Sequence, residues 1–356
     1  MFGSRVLSID IGNKNTKIVV GRHQKNSVLV EKAMVIETPI NSYRDGNILD
    51  IDSLKVVIRE VLSREKIKTK KVICTVQSTS IITREIVLPV AKKEEEMKTM
   101  VQFEIEQYLP IIFDDYVVEY KILEEFTEEG IKKGRILVVA LPKTIAEDYL
   151  KLINELKLTP LALDVSSNAI SKLYESNVKI NLENYSYDKT VSVIDIGHNY
   201  LNLDIISRGI LQFSRIINIG SNDIDINIAN TFNLSIEEAE KRKIEDAVLG
   251  NTELSENNLI SSQILNDTLM SSIDGWIQEI NRIFKYYLNR NRENKVEEIH
   301  LHGGGCEING LLEYFEEKLN IPTLKIESMS NIKLNKTVRD IEINRYLNCI
   351  GSIIRR

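Results

Sequence analysis

The sequence is poor in the features that mark several protein classes. Three cysteines in 356 residues cannot staple a fold with disulfides. Cys74 and Cys349 lie in apolar runs and read as small buried hydrophobes, while Cys306 follows a glycine run. A reducing, cytoplasmic setting fits. No apolar run exceeds the six residues Ile136 to Leu141, far short of the roughly 20 needed to span a bilayer. Asp10 interrupts the first residues, MFGSRVLSIDIG, where a signal peptide would need an unbroken apolar core, so folding is expected to begin at this N-terminus. A basic excess is also missing. With 46 Lys+Arg against 52 Asp+Glu the net charge is −6, which argues against wholesale nucleic-acid binding. It leaves room for a local phosphate site, because phosphates are held largely by backbone N–H groups and metal ions. The 43% hydrophobic and 28% charged residues exclude a disordered chain, and the length suggests two or three domains.

Periodicity places strands at Val6 to Ile11 and Lys17 to Gly21 around a Gly-Asn-Lys-Asn turn, with a third at Val28 to Val35. Asp52 and Ser53 open a helix whose face is Leu54, Val57, Ile58, Val61 and Leu62. Strands follow at Val72 to Val76 and Ile81 to Leu88. KKEEEMK then starts a charged helix with the stripe Met97, Met100, Val101, Ile105 and Tyr108, stopped by Pro110. Two strands, Tyr116 to Ile122 and Ile136 to Leu141, are joined by the polar segment EEFTEEGIKKG, read as a loop. Thr144 and Glu147 suggest a capping box for the next helix, as do Ser235 and Glu238 further on. From Asn222 to Arg292 the pattern is helical. The longest helix carries Leu265, Leu269, Ile273, Trp276, Ile280, Phe284 and Tyr287 as a core stripe. Val296 to Leu301 is a strand entering His-Gly-Gly-Gly.

The opening is repeated in the second half. SIDIGNKNTKIVV and VIDIGHNYLNLDII are both strand, Asp-Ile-Gly, polar turn and strand, which suggests duplicated halves. Three glycine turns follow strands: Asp10 to Asn15, Asp195 to Asn199, and Gly303-Gly304-Gly305. Glycine allows positive φ and close backbone approach, and successive N–H groups in such turns can cradle an anion. Two aspartates ending equivalent strands would face one another across a cleft, and such a pair suits Mg²⁺, which takes few protein ligands. The residues therefore point to a nucleotide clamped between two halves. Its phosphates would lie between hairpins 10–17 and 195–202, and its base against the third turn. Lys17 is either a phosphate contact or a solvent-facing lysine. His198 reads as a turn residue near phosphate. His300 and His302 alternate on one strand, but no Cys or carboxylate completes a zinc site with them.

In this order the three turns resemble the phosphate-1, phosphate-2 and adenosine motifs of the actin-like ATPase superfamily. A closer resemblance, to the PilM family of type IV pilus assembly proteins, runs through TREIVLP at 83–89, EQYLP at 106–110, LVVALPK at 137–143 and LALDVSSNAI at 161–170. It continues through RIINIGSNDIDINIA at 215–229, SIEEAEKRK at 235–243 and HGGGCEINGLLEYF at 302–315. The resemblance implies an α/β, duplicated two-lobe actin-like (ribonuclease H-like) fold with a 1C-type inserted α+β subdomain. The first lobe core (1A) would comprise 1–88, 164–190 and 346–356, and the insertion 89–163. The second core (2A) would comprise 191–225 and 296–345, and a helical 2B-type subdomain 226–295. It also implies ATP and Mg²⁺. Asp10, Gly12, Asn13, Asn15 and Lys17 would surround phosphates and metal. Asp195, Gly197 and Asn199 would form the second phosphate motif, with His198 beside the cofactor in the same turn and Asp10 and Asp195 as metal ligands. Gly220 and Ser221 would make the connecting turn, Glu240 and Lys243 would approach ribose and base, and Gly304 and Gly305 would flank adenine. The second motif has Leu201 where the family usually has Thr or Ser, and Ser221 stands where a second glycine is usual.

The resemblance further implies a scaffold peripheral to the inner face of the cell membrane, which it reaches only through a partner. The cytoplasmic N-terminal tail of a PilN-like inner-membrane protein would enter a cleft near residues 84–113. Phe103 lies off the helix stripe there, and Tyr108 to Phe113 is apolar. The pilus platform and its motor ATPase would be further partners, nucleic acid would not, and a homo-oligomer stays open. With no evident general base, the protein would be at most a slow ATPase with no catalytic residue assigned. Two other readings stand beside this one. An FtsA-like membrane-associated filament protein is disfavoured by the ending GSIIRR in place of an amphipathic helix. A small-molecule kinase is disfavoured by the lack of insertions that would build a substrate pocket.

Overall fold

The computed structural model describes residues 3–108, 112–250, 259–290 and 295–355. The chain opens on β1 (Val6–Ile11), β2 (Asn15–Gln24) and β3 (Ser27–Glu37). A small hairpin, β4 (Tyr43–Arg44) and β5 (Asn47–Ile48), precedes α1 (Ile51–Arg64), β6 (Lys71–Val76) and β7 (Ile82–Pro89). Then come α2 (Glu94–Tyr108), β8 (Tyr116–Glu128), β9 (Ile131–Pro142), α3 (Lys143–Glu155), β10 (Thr159–Val165) and α4 (Ser166–Ser171). A second small hairpin, β11 (Lys179–Ile180) and β12 (Glu183–Asn184), leads to β13 (Thr190–Ile196), β14 (Leu201–Ser207) and β15 (Ile210–Ile217). The remainder is α5 (Ser221–Phe232), α6 (Ile236–Asp246), α7 (Leu259–Arg290), β16 (Glu298–His302), α8 (Leu311–Leu319), β17 (Thr323–Lys325), β18 (Ile332–Leu334) and α9 (Leu347–Ser352).

The chain forms two compact units. Unit 1 is Met1–Thr38, Ile73–Thr75 and Asp164–Arg356; unit 2 is Pro39–Val72 and Val76–Leu163. Unit 1 carries two sheets with one logic. Their orders are β10-β6-β1-β2-β3-β18 and β15-β14-β13-β16-β17. In each, three consecutive antiparallel strands (β1-β2-β3 and β13-β14-β15) flank a later strand (β6 or β16) on the other side of the first. The repeat in the sequence is thus a repeat of topology. Every residue of β1, β13 and β14 is buried, as expected of central strands covered on both faces, which read as nearly unbroken apolar runs. The polar exceptions, Ser8, Asp10, Thr190, Ser192, Asp195, Asn202, Asp204 and Ser207, lie on these strands and are buried with them.

The core under the second sheet draws on α7. Leu265, Leu269, Ile273, Trp276, Ile280 and Tyr287 are buried on it at helical spacing, with Phe284 packed at their margin. Each such side chain removed from water contributes roughly 1.5–3 kcal/mol, so this single stripe can order a helix of 32 residues. α6 starts at the expected capping box. Ser235 Oγ accepts from the Glu238 N–H at 3.2 Å, and Glu238 Oε2 accepts from the Ser235 N–H at 2.9 Å.

Unit 2 contains the three-stranded sheet β7-β9-β8. Ile86, Leu88, Ile136 and Val138 pack with Met97, Val101 and Ile105 of α2. Three local expectations are corrected here. The segment EEFTEEGIKKG is strand rather than loop: β8 and β9 pair down to Glu128 opposite Ile131. Glu129 and Gly130 alone make the turn, with φ of 51° and 78°, the positive pair that a tight hairpin between right-twisted strands requires. At α3 the capping box is absent. β9 runs through Pro142, which sits at the N-cap with φ −53° and ψ 130°, so the helix begins before Thr144. At α1 the cap is Asp50, whose carboxylate accepts from the Ser53 N–H at 3.0 Å. Asp52 and Ser53 belong to the first turn. Leu109, Pro110 and Ile111, the expected helix stop and part of the apolar segment, lie outside the described residues, as does Arg292.

Candidate nucleotide site in unit 1

Two hairpins of the same build present the twin aspartates. Asp10 pairs with Lys17 across β1 and β2, and Asp195 with Asn202 across β13 and β14. Each turn closes on its glycine. The Gly12 N–H donates to the Asn15 carbonyl at 3.1 Å, and the Gly197 N–H to the Tyr200 carbonyl at 3.0 Å. Neither glycine has a positive φ. They are glycine because a Cβ would lie 2.9 Å and 2.8 Å from those same carbonyl oxygens. Close approach, not left-handed backbone, is the constraint at both. Asn13, Asn15, His198 and Asn199 sit half-buried at the hairpin tips. Thr38 braces the first hairpin: its N–H donates to the Lys14 carbonyl at 2.9 Å and its hydroxyl to the Gly12 carbonyl at 2.8 Å.

The two carboxylates are buried, each with a dedicated neutral donor. Thr75 Oγ1 donates to Asp10 Oδ1 at 2.8 Å, and Asn348 Nδ2 to Asp195 Oδ2 at 2.9 Å. Lys17 Nζ stands 3.5 Å from Asp10 Oδ2. Burial alone would lower the Lys17 pKa, but Asp10, Asp195, Cys349 and the hydrogen bond to Asp10 raise it on balance. His302 Nδ1 lies 3.9 Å from Asp195 Oδ1. Burial, with Lys17 adding, pushes its pKa down, so it is neutral at pH 7.

The third glycine turn abuts the second hairpin. Gly303 has φ 92°, and a Cβ there would lie 2.2 Å from Asp195 Oδ1. Here both reasons for glycine apply, unlike at Gly12 and Gly197. A Cβ on Gly305 would strike Ile196 at 2.4 Å, whereas Gly304 is exposed with open space beside it. The Gly303 N–H donates to the Asn344 carbonyl at 3.1 Å.

The connecting turn locks α5 to the second hairpin. The N–H groups of Ser221 and Asn222 donate to the carbonyls of Gly197 and His198 at 3.0 and 2.8 Å. Asp223 Oδ2 accepts from the Gly220 N–H at 2.7 Å. Glycine fits position 220 because a Cβ would sit 2.4 Å from the His198 carbonyl oxygen. Lys243 is buried, its Nζ 2.6 Å from Asp225 and 3.2 Å from the Ser221 carbonyl. Glu240 forms an ion pair with Lys14. His198 lies among these charges. Burial first, then Lys14 and Lys243, bring its pKa down to about 4, so its imidazole is neutral at physiological pH.

The expected residues from both hairpins, the connecting turn, α6 and the Gly303–Gly305 turn therefore share one region of unit 1. Lys14, Thr75, Asp225, Asn344 and Asn348 belong to it and were not foreseen. Lys14 was legible as the cation inside the first turn. The other four lie on segments without a glycine signature. The donor set fits Mg²⁺: two carboxylates, with the remaining positions left to water and phosphate. No group of three or more His, Cys, Asp or Glu placed to hold a metal occurs among the described residues, which does not fit a structural zinc site. His300 instead accepts from or donates to the Tyr174 hydroxyl at 2.9 Å through Nδ1.

Duplicated sheets, paired Asp-x-Gly hairpins and a glycine turn against the second of them define the actin-like ATPase fold, and solved structures agree. A structure titled PilM-PilN type IV pilus biogenesis complex matches with a TM-score of 0.78 at 19% identity, covering 98% of this chain and 96% of that one. Ethanolamine utilization protein EutJ from Carboxydothermus hydrogenoformans matches at 0.58 and 12%, covering 98% and 89%. MreB5 of Spiroplasma citri bound to AMPPNP matches at 0.52 and 15%, covering 90% and 91%. The family model described as type IV pilus assembly protein PilM matches residues 8–351; the chain belongs to the PilM family. Among curated proteins, cell division protein FtsA of Bacillus subtilis (strain 168) is 26% identical over 266 residues, which is 67% of this chain. The chain spans 57% of that relative's length.

Proposed function

We propose that this protein is an ATP- and Mg²⁺-binding scaffold of a type IV pilus inner-membrane platform, which docks the cytoplasmic tail of a PilN-like protein. The observation that carries the nucleotide half is the pair of matching hairpins that end in buried Asp10 and Asp195, with the Gly303 turn packed against the second. Asp10 and Asp195 would hold Mg²⁺ through its waters. Gly12, Asn13, Asn15, Lys17, Gly197, His198 and Asn199 would line the phosphates, and Gly220 and Ser221 would fix the turn beneath them. Glu240 and Lys243 would face the ribose and base, and exposed Gly304 beside Gly305 would leave a surface for adenine. A nucleotide held by both hairpins favours whichever conformation brings them together, by its differential affinity alone. The neutral His198 offers no strong base, in keeping with slow hydrolysis at most.

The partner half rests on unit 2. Phe103 is 64% exposed on α2 and Ile112 is 70% exposed. Glu94, Glu95, Glu96 and Lys98 share the helix with Phe103. An apolar anchor rimmed by charge is the kind of surface that captures a short peptide. Among the described residues no helix is long and apolar enough to cross a membrane. The proposed lobes are those expected from the sequence, cores at 1–88 with 164–190 and 346–356 and at 191–225 with 296–345, an insertion at 89–163 and a helical subdomain at 226–295, save that β7 (Ile82–Pro89) completes the sheet of the insertion.

Calorimetry tests both halves. Asp10→Ala should abolish most Mg-ATP binding with the fold intact, and Phe103→Glu should abolish binding of a PilN-tail peptide while sparing Mg-ATP. Unchanged affinities in both variants would defeat the proposal. Strong pelleting with liposomes in the absence of any partner would favour FtsA-like behaviour instead.

A further inference from the structure

The ion pair between Lys14 and Glu240 joins two parts of the site that would serve opposite ends of a nucleotide. Lys14 is at the tip of the first hairpin, where the phosphates would lie. Glu240 is on α6, which would face the ribose. The residues are 226 positions apart in sequence, and both side chains are about one-third exposed. The Lys14 backbone is fixed, because its carbonyl accepts from Thr38. Its side chain is a flexible four-carbon stem that can turn without moving the hairpin.

We infer that this pair is an exchangeable strap: phosphate draws Lys14 off Glu240, and the released carboxylate then accepts hydrogen bonds from the ribose hydroxyls. The inference rests on the nucleotide reading above and adds a coupling between its two ends. A part-exposed ion pair is a weak contact, whereas charge-assisted bonds to phosphate oxygens are among the stronger ones, so the exchange runs toward phosphate. Glu240 does not lose all its cationic surroundings when Lys14 leaves. Lys243 remains in its field, itself anchored by buried Asp225. Adenosine has no anion to attract Lys14 and must compete with it for Glu240. A triphosphate without a sugar must break the strap and gains nothing from the freed carboxylate. Only a nucleotide carrying both ends benefits twice.

The test is calorimetry on the full chain at fixed ionic strength with Mg-ATP, adenosine and inorganic tripolyphosphate, using wild type, Lys14→Met, Glu240→Gln and the double variant. Lys14→Met should weaken Mg-ATP by about tenfold or more, the loss of one charge-assisted contact, while adenosine binding holds or tightens. Glu240→Gln should tighten tripolyphosphate by about threefold, as removal of a weak competing pair would, and the gain should vanish in the double variant. Equal weakening of Mg-ATP and adenosine by Lys14→Met, or unchanged tripolyphosphate affinity in Glu240→Gln, overturns the strap. If wild type binds no Mg-ATP but Glu240→Gln still tightens tripolyphosphate, the competition between phosphate and Glu240 for Lys14 stands, while the ribose half and the nucleotide reading fall.

Discussion

Asn348 donates to Asp195 from a helix 153 positions further along the chain, at 2.9 Å between two buried side chains. This bond holds the orientation of the carboxylate. Asn348→Asp would place a second buried carboxylate in its stead, and like charges at that distance cannot both ionise. The variant should lose at least about tenfold in Mg-ATP affinity by calorimetry, with the loss largest at low pH, where the pair holds a proton, and easing as pH rises. Asn348→Ser, which keeps a donor, should fall between the variant and wild type.

The glycines of the third turn should respond differently. Gly303→Ala requires a positive φ of an L-residue and drives its methyl onto Asp195. A cost of about 2–4 kcal/mol is expected in chemical denaturation. Gly304→Ala meets nothing within 4 Å and should unfold like wild type. Any effect of Gly304→Ala on nucleotide affinity would then report on the adenine surface directly.

Lys243 and Asp225 form a buried pair, 8% and 1% exposed at the side chain. Lys243→Met strands the aspartate and should destabilise by about 3–5 kcal/mol, whereas Lys243→Met with Asp225→Leu should recover most of that loss. Denaturant titration of the three variants separates a lost contact from an orphaned charge.

Asp204 gives a pH signature. Burial, reinforced by Asp195, raises its pKa from 3.8 to about 7. The folded state therefore holds this proton more tightly than the unfolded chain. Stability from this group is full below the unfolded value and declines as pH rises through about 7. Wild type should lose up to about 4 kcal/mol from this source between pH 4 and pH 8. Asp204→Asn should flatten that slope and be more stable than wild type at pH 8.

Much of the fold was legible because it is periodic. β1, β13 and the α7 stripe announce themselves by apolar spacing, and the two Asp-Ile-Gly hairpins by repetition. What the sequence hid has physical reasons. The 124–134 segment looked like a loop because both strands there alternate charged residues on exposed faces, and only the Glu129-Gly130 pair carries turn chemistry. The capping box at Thr144 was overridden by a strand that persists through Pro142. In the site, glycine and aspartate marked the hairpins, but Thr75 and Asn348 reach their aspartates from 65 and 153 positions away. Side chains that act by tertiary contact leave no local pattern to read. The contacts of Lys243 Nζ with Asp225 and with the Ser221 carbonyl at the start of α5 are likewise tertiary and had no local signature.

The closing bond between Ser8 and Ser352, 2.7 Å apart across 344 positions, bears on how the molecule is made. During synthesis β1 leaves the ribosome early but waits for α9, which also carries Asn348. Contacts of such separation form slowly. A nascent chain therefore cannot complete its second aspartate's surroundings until α9 has emerged, and variants that disrupt α9 should yield chaperone clients rather than weakened binders.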